Sequence, residues 1–188
     1  PDALGSDAPA PSPIDAGGPD DVIGDKDAAE DGRKIDGSAE NAGERTQRST
    51  PDGKPIVVDP LYSGDGVDIA RERTVADGSY VSSDQLVLTT GARDDVIGVK
   101  QRDDGTLDVN VNGESYEVKL DQGQELTIRA GAGDDVIEVA PNVKVNIVVE
   151  GGDGDDTITT GAGDDRIDGG AGNDTIFSGA GRDDVFGN

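Results

Sequence analysis

Residues 151–186 read GGDGDDTIT (151–159), TGAGDDRID (160–168), GGAGNDTIF (169–177) and SGAGRDDVF (178–186), four segments in phase with a period of nine. Glycine stands at the second and fourth places and Asp at the sixth (Asp156, Asp165, Asp174, Asp183). An aliphatic stands at the eighth (Ile158, Ile167, Ile176, Val185). Alternate glycines let the chain turn tightly, through φ values closed to other residues, and let main-chain carbonyls converge. The last three residues of each segment form a short strand whose middle side chain faces inward. Nine residues make half a coil and eighteen a full one, so Asp156 lies over Asp174 and Asp165 over Asp183. Two carboxylates and several carbonyls then enclose a gap between successive loops, an oxygen cage of the kind calcium takes. The period predicts a parallel β-roll over 151–188.

The composition agrees. Asp and Glu number 41 against 16 Lys and Arg, His is absent, and the net charge is -25. Such a chain repels phosphate backbones and anionic lipid, and attracts cations. Nucleic acid is therefore not an expected partner. Aromatics are 3% with no Trp, so no base-stacking surface is expected. Without Cys or His there are no disulfides, no thiolate sites and no HExxH zinc motif. The ligands left are carboxylates and carbonyls, hard oxygens that suit calcium better than zinc or copper. No apolar run approaches the 18 residues of a membrane span. The first residues, PDALGSDAPAPSPIDAGGPDD, lack the basic start and apolar stretch of a Sec-type signal peptide.

Outward from the repeats, the chain divides into three parts. Residues 1–54 read as a disordered acidic tail, with only Leu4, Ile14, Val22, Ile23 and Ile35 as large aliphatics, too few to offset the entropy of ordering. Within it, GGPDDVIGD (17–25) echoes the repeats but is one residue short of their spacing. Residues 55–150 have β texture. Strands are expected at 56–58, 85–89, 95–100, 106–111, 115–120, 125–129, 136–139 and 143–149. Asn112-Gly113 marks a hairpin and Asp103-Asp104-Gly105 a second turn, so residues 94–129 read as a small meander. The segment 67–76 is ambiguous. The third part is the roll at 151–188, and the fold class is all-β.

The repeats resemble the RTX, or hemolysin-type, calcium-binding nonapeptide family, with consensus GGxGxDxUx and U a large aliphatic. In that family one loop offers the carbonyls of its second and fourth residues and its Asp; the loop one coil on offers the carbonyls of its first and third residues and its Asp. The resemblance implies one ion held by Gly152, Gly154 and Asp156 with Gly169, Ala171 and Asp174. It implies a second held by Gly161, Gly163 and Asp165 with Ser178, Ala180 and Asp183. Thr160 and Ser178 depart from the first-place glycine, which makes the turn harder, and Arg182 puts positive charge near the second site. AGAGDDVIE (130–138) is a degenerate copy. Asp135 and Asp156 are 21 residues apart, one coil plus a three-residue bulge at Ala140-Pro141-Asn142. A third ion would use Gly131, Gly133 and Asp135 with Gly151, Asp153 and Asp156. TGARDDVIG (90–98) is a second degenerate copy, with Arg93 at the fourth place, and reads as a structural loop, so residues 55–150 are expected to hold the meander and degenerate solenoid coils.

Other readings fit the residues less well. Disorder gives no reason for aliphatics in phase with glycines. Two-carboxylate catalysis fits tandem identical pairs less well than metal cages do. An EF-hand at Asp25-Lys26-Asp27 fails because Glu30 sits where its glycine is needed. No nucleophile–base set or phosphate loop is found, so the chain is not expected to be an enzyme. Between Gly151 and Asn188 there are nine Asp and two Arg. Stacked Asp pairs repel by on the order of 1 kcal/mol at 4 Å in water, and calcium reverses that sign. Folding is expected to require calcium and to be cooperative between coils. The resemblance further implies a secreted bacterial toxin, adhesin or exoenzyme, exported unfolded. Gly187-Asn188 opens a fifth copy, so further repeats or another domain are expected in a longer parent protein. A calcium-indifferent β-solenoid scaffold is the alternative.

Overall fold

Runs of Val, Ile, Leu and Thr bounded by Gly, Asp and Asn favour extended backbone, and no segment supplies the three-to-four-residue period that a helix needs. The computed structural model describes residues 33–35, 45–64, 66–76 and 80–187. Its regular elements are all strands: β1 (Arg33–Ile35), β2 (Thr46–Ser49), β3 (Pro55–Gly64), β4 (Val67–Ala76) and β5 (Tyr80–Thr89) come first. Then follow β6 (Val96–Gln101), β7 (Leu107–Val111), β8 (Glu114–Val118), β9 (Glu125–Ala132) and β10 (Val136–Val139). The last are β11 (Ile147–Asp153), β12 (Thr157–Thr159), β13 (Arg166–Ala171), β14 (Thr175–Phe177) and β15 (Asp184–Phe186). None of the described residues forms a helix long and apolar enough to cross a membrane.

The strands form two sheets, in the orders β1-β8-β7-β6-β10-β12-β14 and β15-β13-β11-β9-β5-β4-β3-β2. From β5 onward the chain alternates between them. β6, β10, β12 and β14 pair in parallel on one side, and β5, β9, β11, β13 and β15 on the other. This is the predicted roll, and it begins about 65 residues upstream of the four clear repeats. Ile97, Ile137 and Ile158 stack along one sheet; Leu88, Ile128, Val149 and Ile167 stack along the other. All seven are at most 1% exposed. Each such side chain contributes roughly 1.5–3 kcal/mol of burial, so the thin core grows by about two such terms per coil.

Four expectations change in detail. The meander is β6-β7-β8, antiparallel, and it ends at Val118 rather than 129. A turn closed by the Gln124 N–H on the Asp121 carbonyl (3.0 Å) sends β9 to the other sheet, where Leu126 and Ile128 lie buried beside β5. The strand expected at 143–149 begins at Ile147; residues 140–146 turn the corner of a coil, with the Val143 side chain filling it. The ambiguous 67–76 is a strand. Val67 and Ile69 face the core, while Glu72 is buried between Arg48 (2.6 Å) and Arg129 (3.2 Å), which hides the apolar alternation. Finally, the stretch assigned to a disordered tail, 1–54, contains β1, paired with β8, and β2, paired with β3. Aliphatic burial does not hold β2, whose side chains are exposed. Main-chain pairing does, helped by the ion pairs Arg48–Glu72 and, just before the strand, Arg45–Asp59. The segment 17–25 lies outside the described residues.

Candidate metal centres

Each coil turns from one sheet to the other through a glycine-containing loop, and the loops stack along two edges. The first edge carries the loops ending at Asp95, Asp135, Asp156 and Asp174; the second carries those ending at Asp165 and Asp183. Along the first edge, Asp135 Oδ1 accepts the Asp95 N–H (2.7 Å), Asp156 Oδ1 the Asp135 N–H (2.9 Å) and Asp174 Oδ1 the Asp156 N–H (3.0 Å). Along the second, Asp165 Oδ1 accepts the Ile147 N–H (2.8 Å) and Asp183 Oδ1 the Asp165 N–H (3.0 Å). Every carboxylate thus fastens its coil to the one before. The expected stacking of Asp156 on Asp174 and of Asp165 on Asp183 is therefore found, as is that of Asp135 on Asp156 across 21 residues.

Only one oxygen of each carboxylate is used in this way. Oδ2 of Asp135, Asp156, Asp165 and Asp174 is buried without a hydrogen-bond partner. A buried carboxylate oxygen left unpaired costs folding free energy, and a repeated one marks a place for a cation. Carbonyls come to the same gaps. A Cβ on Gly170 would strike the Gly152 carbonyl oxygen, and one on Gly172 the Gly154 oxygen. The carbonyls of Gly131 and Gly133 lie likewise against Gly152 and Gly154, and those of Gly161 and Gly163 against Gly179 and Gly181. The second- and fourth-place carbonyls of each loop therefore point at the next coil. Asp156 Oδ2 and the Gly169 carbonyl both abut the Cα of Gly151, which joins two of the expected ligands of the first ion.

Some expected ligands already have a hydrogen bond. The Ala171 and Asp153 carbonyls accept the N–H groups of Gly154 and Gly133, both at 2.8 Å. The Ser178 carbonyl accepts the Thr160 hydroxyl at 2.8 Å, so the residue that replaces the first-place glycine occupies one lone pair there. A carbonyl has a second lone pair, and these groups keep ligand capacity. Ala180, the remaining member of that set, donates its N–H to the Gly161 carbonyl (2.9 Å). Among the described residues no three acidic side chains gather at one point. Two carboxylates with carbonyls is a hard-oxygen set of modest charge, the type calcium accepts.

The electrostatics follow from burial. Asp135 is held up at a pKa of about 6, first by burial and then by the neighbouring Asp156 and Asp95 charges. Burial, then Asp174, raises Asp156; burial, then Asp183, raises Asp165. These groups resist ionisation without a cation beside them. Two features were not read from the sequence. The fifth-place residues also form a column: the Asp134, Asp155 and Asn173 N–H groups donate to Oδ1 of Asp94, Asp134 and Asp155 (3.0, 2.9 and 2.7 Å). Its signal was the Asp or Asn that precedes the sixth-place Asp in all but the last copy. The other is the stacking of Asp95 on Asp135, which puts Asp95 at the head of the column of sixth-place carboxylates although its loop has lost a glycine.

No curated protein and no solved structure matches the chain. Residues 127–139 and 150–185 match the model of the RTX calcium-binding nonapeptide repeat, in four copies, and these are the residues that carry the stacked loops. The C-terminal part of the chain is an array of RTX calcium-binding nonapeptide repeats.

Proposed function

We propose that the roll is a calcium-dependent folding module. One ion is held between Gly152, Gly154 and Asp156 and Gly169, Ala171 and Asp174. A second lies between Gly161, Gly163 and Asp165 and Ser178, Ala180 and Asp183. A third lies between Gly131, Gly133 and Asp135 and Gly151, Asp153 and Asp156. The observation that carries this reading is the recurrent buried Oδ2 with no partner. Calcium converts repulsion along each column into attraction, so binding and folding are one process. Extracellular modules work at roughly 10⁻⁴–10⁻³ M calcium, which favours an unfolded chain in the cytosol and a folded one outside. We place the module in a secreted bacterial protein and assign it no catalysis. Circular dichroism and calorimetry at millimolar calcium provide the test. Calcium should raise β-content and EDTA should reverse it; an unchanged spectrum with no heat of binding rejects the reading.

A second reading is a solenoid that stands without calcium. It is favoured by the Oδ1–backbone bonds, which link successive coils with no ion involved, and by the ion-pair row Arg48–Glu72–Arg129–Glu150. Full β-structure in EDTA would select it.

A further inference from the structure

The first coil of the roll lies outside the residues that match the repeat family, and its loop carries Arg93 where the repeats carry glycine. Its chemistry is nonetheless that of the later loops. Asp95 is 2% exposed and Asp135 is fully buried, and Oδ2 of each has no hydrogen-bond partner. The Asp95 N–H donates to Asp135 Oδ1 at 2.7 Å, and Val96 pairs with Val136, so the two carboxylates are stacked on adjacent coils. The Gly91 carbonyl abuts the Cα of Gly131, as the Gly131 carbonyl abuts that of Gly152.

Two details bear on what the gap can hold. The other oxygen of Asp95 has a dedicated partner, because Oδ1 accepts the Asn112 side-chain amide at 2.6 Å. Asn112 also accepts the Val96 N–H (2.8 Å) and donates its own N–H to the Val96 carbonyl (2.9 Å). The hairpin thus stands in for a preceding coil and leaves Oδ2 without an assigned partner. Arg93, meanwhile, does not bring its charge to the gap: its guanidinium lies against Gly66, at the β3–β4 turn.

We propose that Asp95, Asp135 and the Gly91 carbonyl hold a further calcium ion, between the first coil and the second. The inference rests on the reading of the roll as calcium-binding. The site is the weakest of the set for a backbone reason. Arg93 stands at the fourth place, and a Cβ on Gly133 would meet its carbonyl carbon before its oxygen (2.5 against 2.7 Å), whereas a Cβ on Gly154 would meet the Gly133 oxygen first (2.0 Å). One carbonyl ligand is degraded, so this ion binds last as calcium rises.

The test compares the full chain with Asp95→Asn, which keeps the Oδ1 acceptor, by native mass spectrometry and amide hydrogen exchange across a calcium titration. The variant should bind one ion fewer. It should also lose the calcium-dependent slowing of exchange at residues 90–96 while keeping that at 151–186. Equal ion counts, with equal protection at 90–96, overturn the proposal. If the variant does not fold, the wild type decides: no calcium-dependent protection at 90–96 at saturation overturns it, and protection there appearing last supports it. A wild type that binds no calcium at all fails the reading of the whole roll instead.

Discussion

Asp156 sits in the middle of the first column, with Asp135 on one side and Asp174 on the other, and Asp156→Asn should change sign with the solvent. Successive strands are about 4.8 Å apart, so each neighbouring charge repels Asp156 by about 1–3 kcal/mol between watery and protein-like dielectric. The amide keeps the Oδ1 bond to the Asp135 N–H. Its Nδ2 takes the position of Oδ2, on the side of Gly151 that the Gly169 carbonyl also faces. In EDTA the variant should therefore be more stable than wild type by at least about 1 kcal/mol. In calcium the same substitution takes a carboxylate from two ions at once, and loss of one partner of a buried charged contact costs about 3–5 kcal/mol. Urea unfolding in each buffer measures both effects. A destabilisation of equal size with and without calcium would refute the reasoning, since it would make Oδ2 a packing atom rather than a ligand.

Other outcomes can be checked alongside. Gly154→Ala should destabilise the roll by about 1–3 kcal/mol from backbone strain alone, and by more because its Cβ strikes the Gly133 carbonyl; calcium should not rescue it, as thermal melts will show. In EDTA, acidification from pH 7 to 5 should raise the melting temperature. The Asp135 pKa of about 6 lies above the ordinary carboxylate value, so the folded state takes up a proton first, and the penalty carried above pH 6 is relieved as pH falls. In calcium the trend should reverse as protons displace the ion. Arg129→Ala leaves the buried Glu72 with Arg48 and frees Glu150; it should cost about 1–3 kcal/mol equally in both buffers.

The roll was legible because its rule is written in every copy. Period nine fixes which aspartates stack, and the three-residue excess between Asp135 and Asp156 could be counted directly. The stacking at the start of the roll was hidden by insertion. Asp95 and Asp135 are stacked but 40 residues apart, because the first return to the other sheet is enlarged into the β7–β8 hairpin, and no multiple of nine survives that. Arg93 hid it further, since the motif asks for a glycine at the fourth place and the chain carries a charged side chain there. At 143–149, alternating valines look the same in a strand as in a filled corner. β2 and β4 were obscured for another reason: their stability lies in main-chain pairing and in Arg–carboxylate contacts between residues far apart in sequence.

The Asn112 hairpin has a consequence beyond the contacts it makes. It closes one end of the first column with side-chain hydrogen bonds that need no ion. The array therefore has a polarity, like a zipper with its stop fixed at one end. Each ion locks a coil onto one already held, and calcium-driven order should spread from the loops at 151–186 toward the hairpin, reaching residues 90–96 last as calcium rises and leaving them first as it falls.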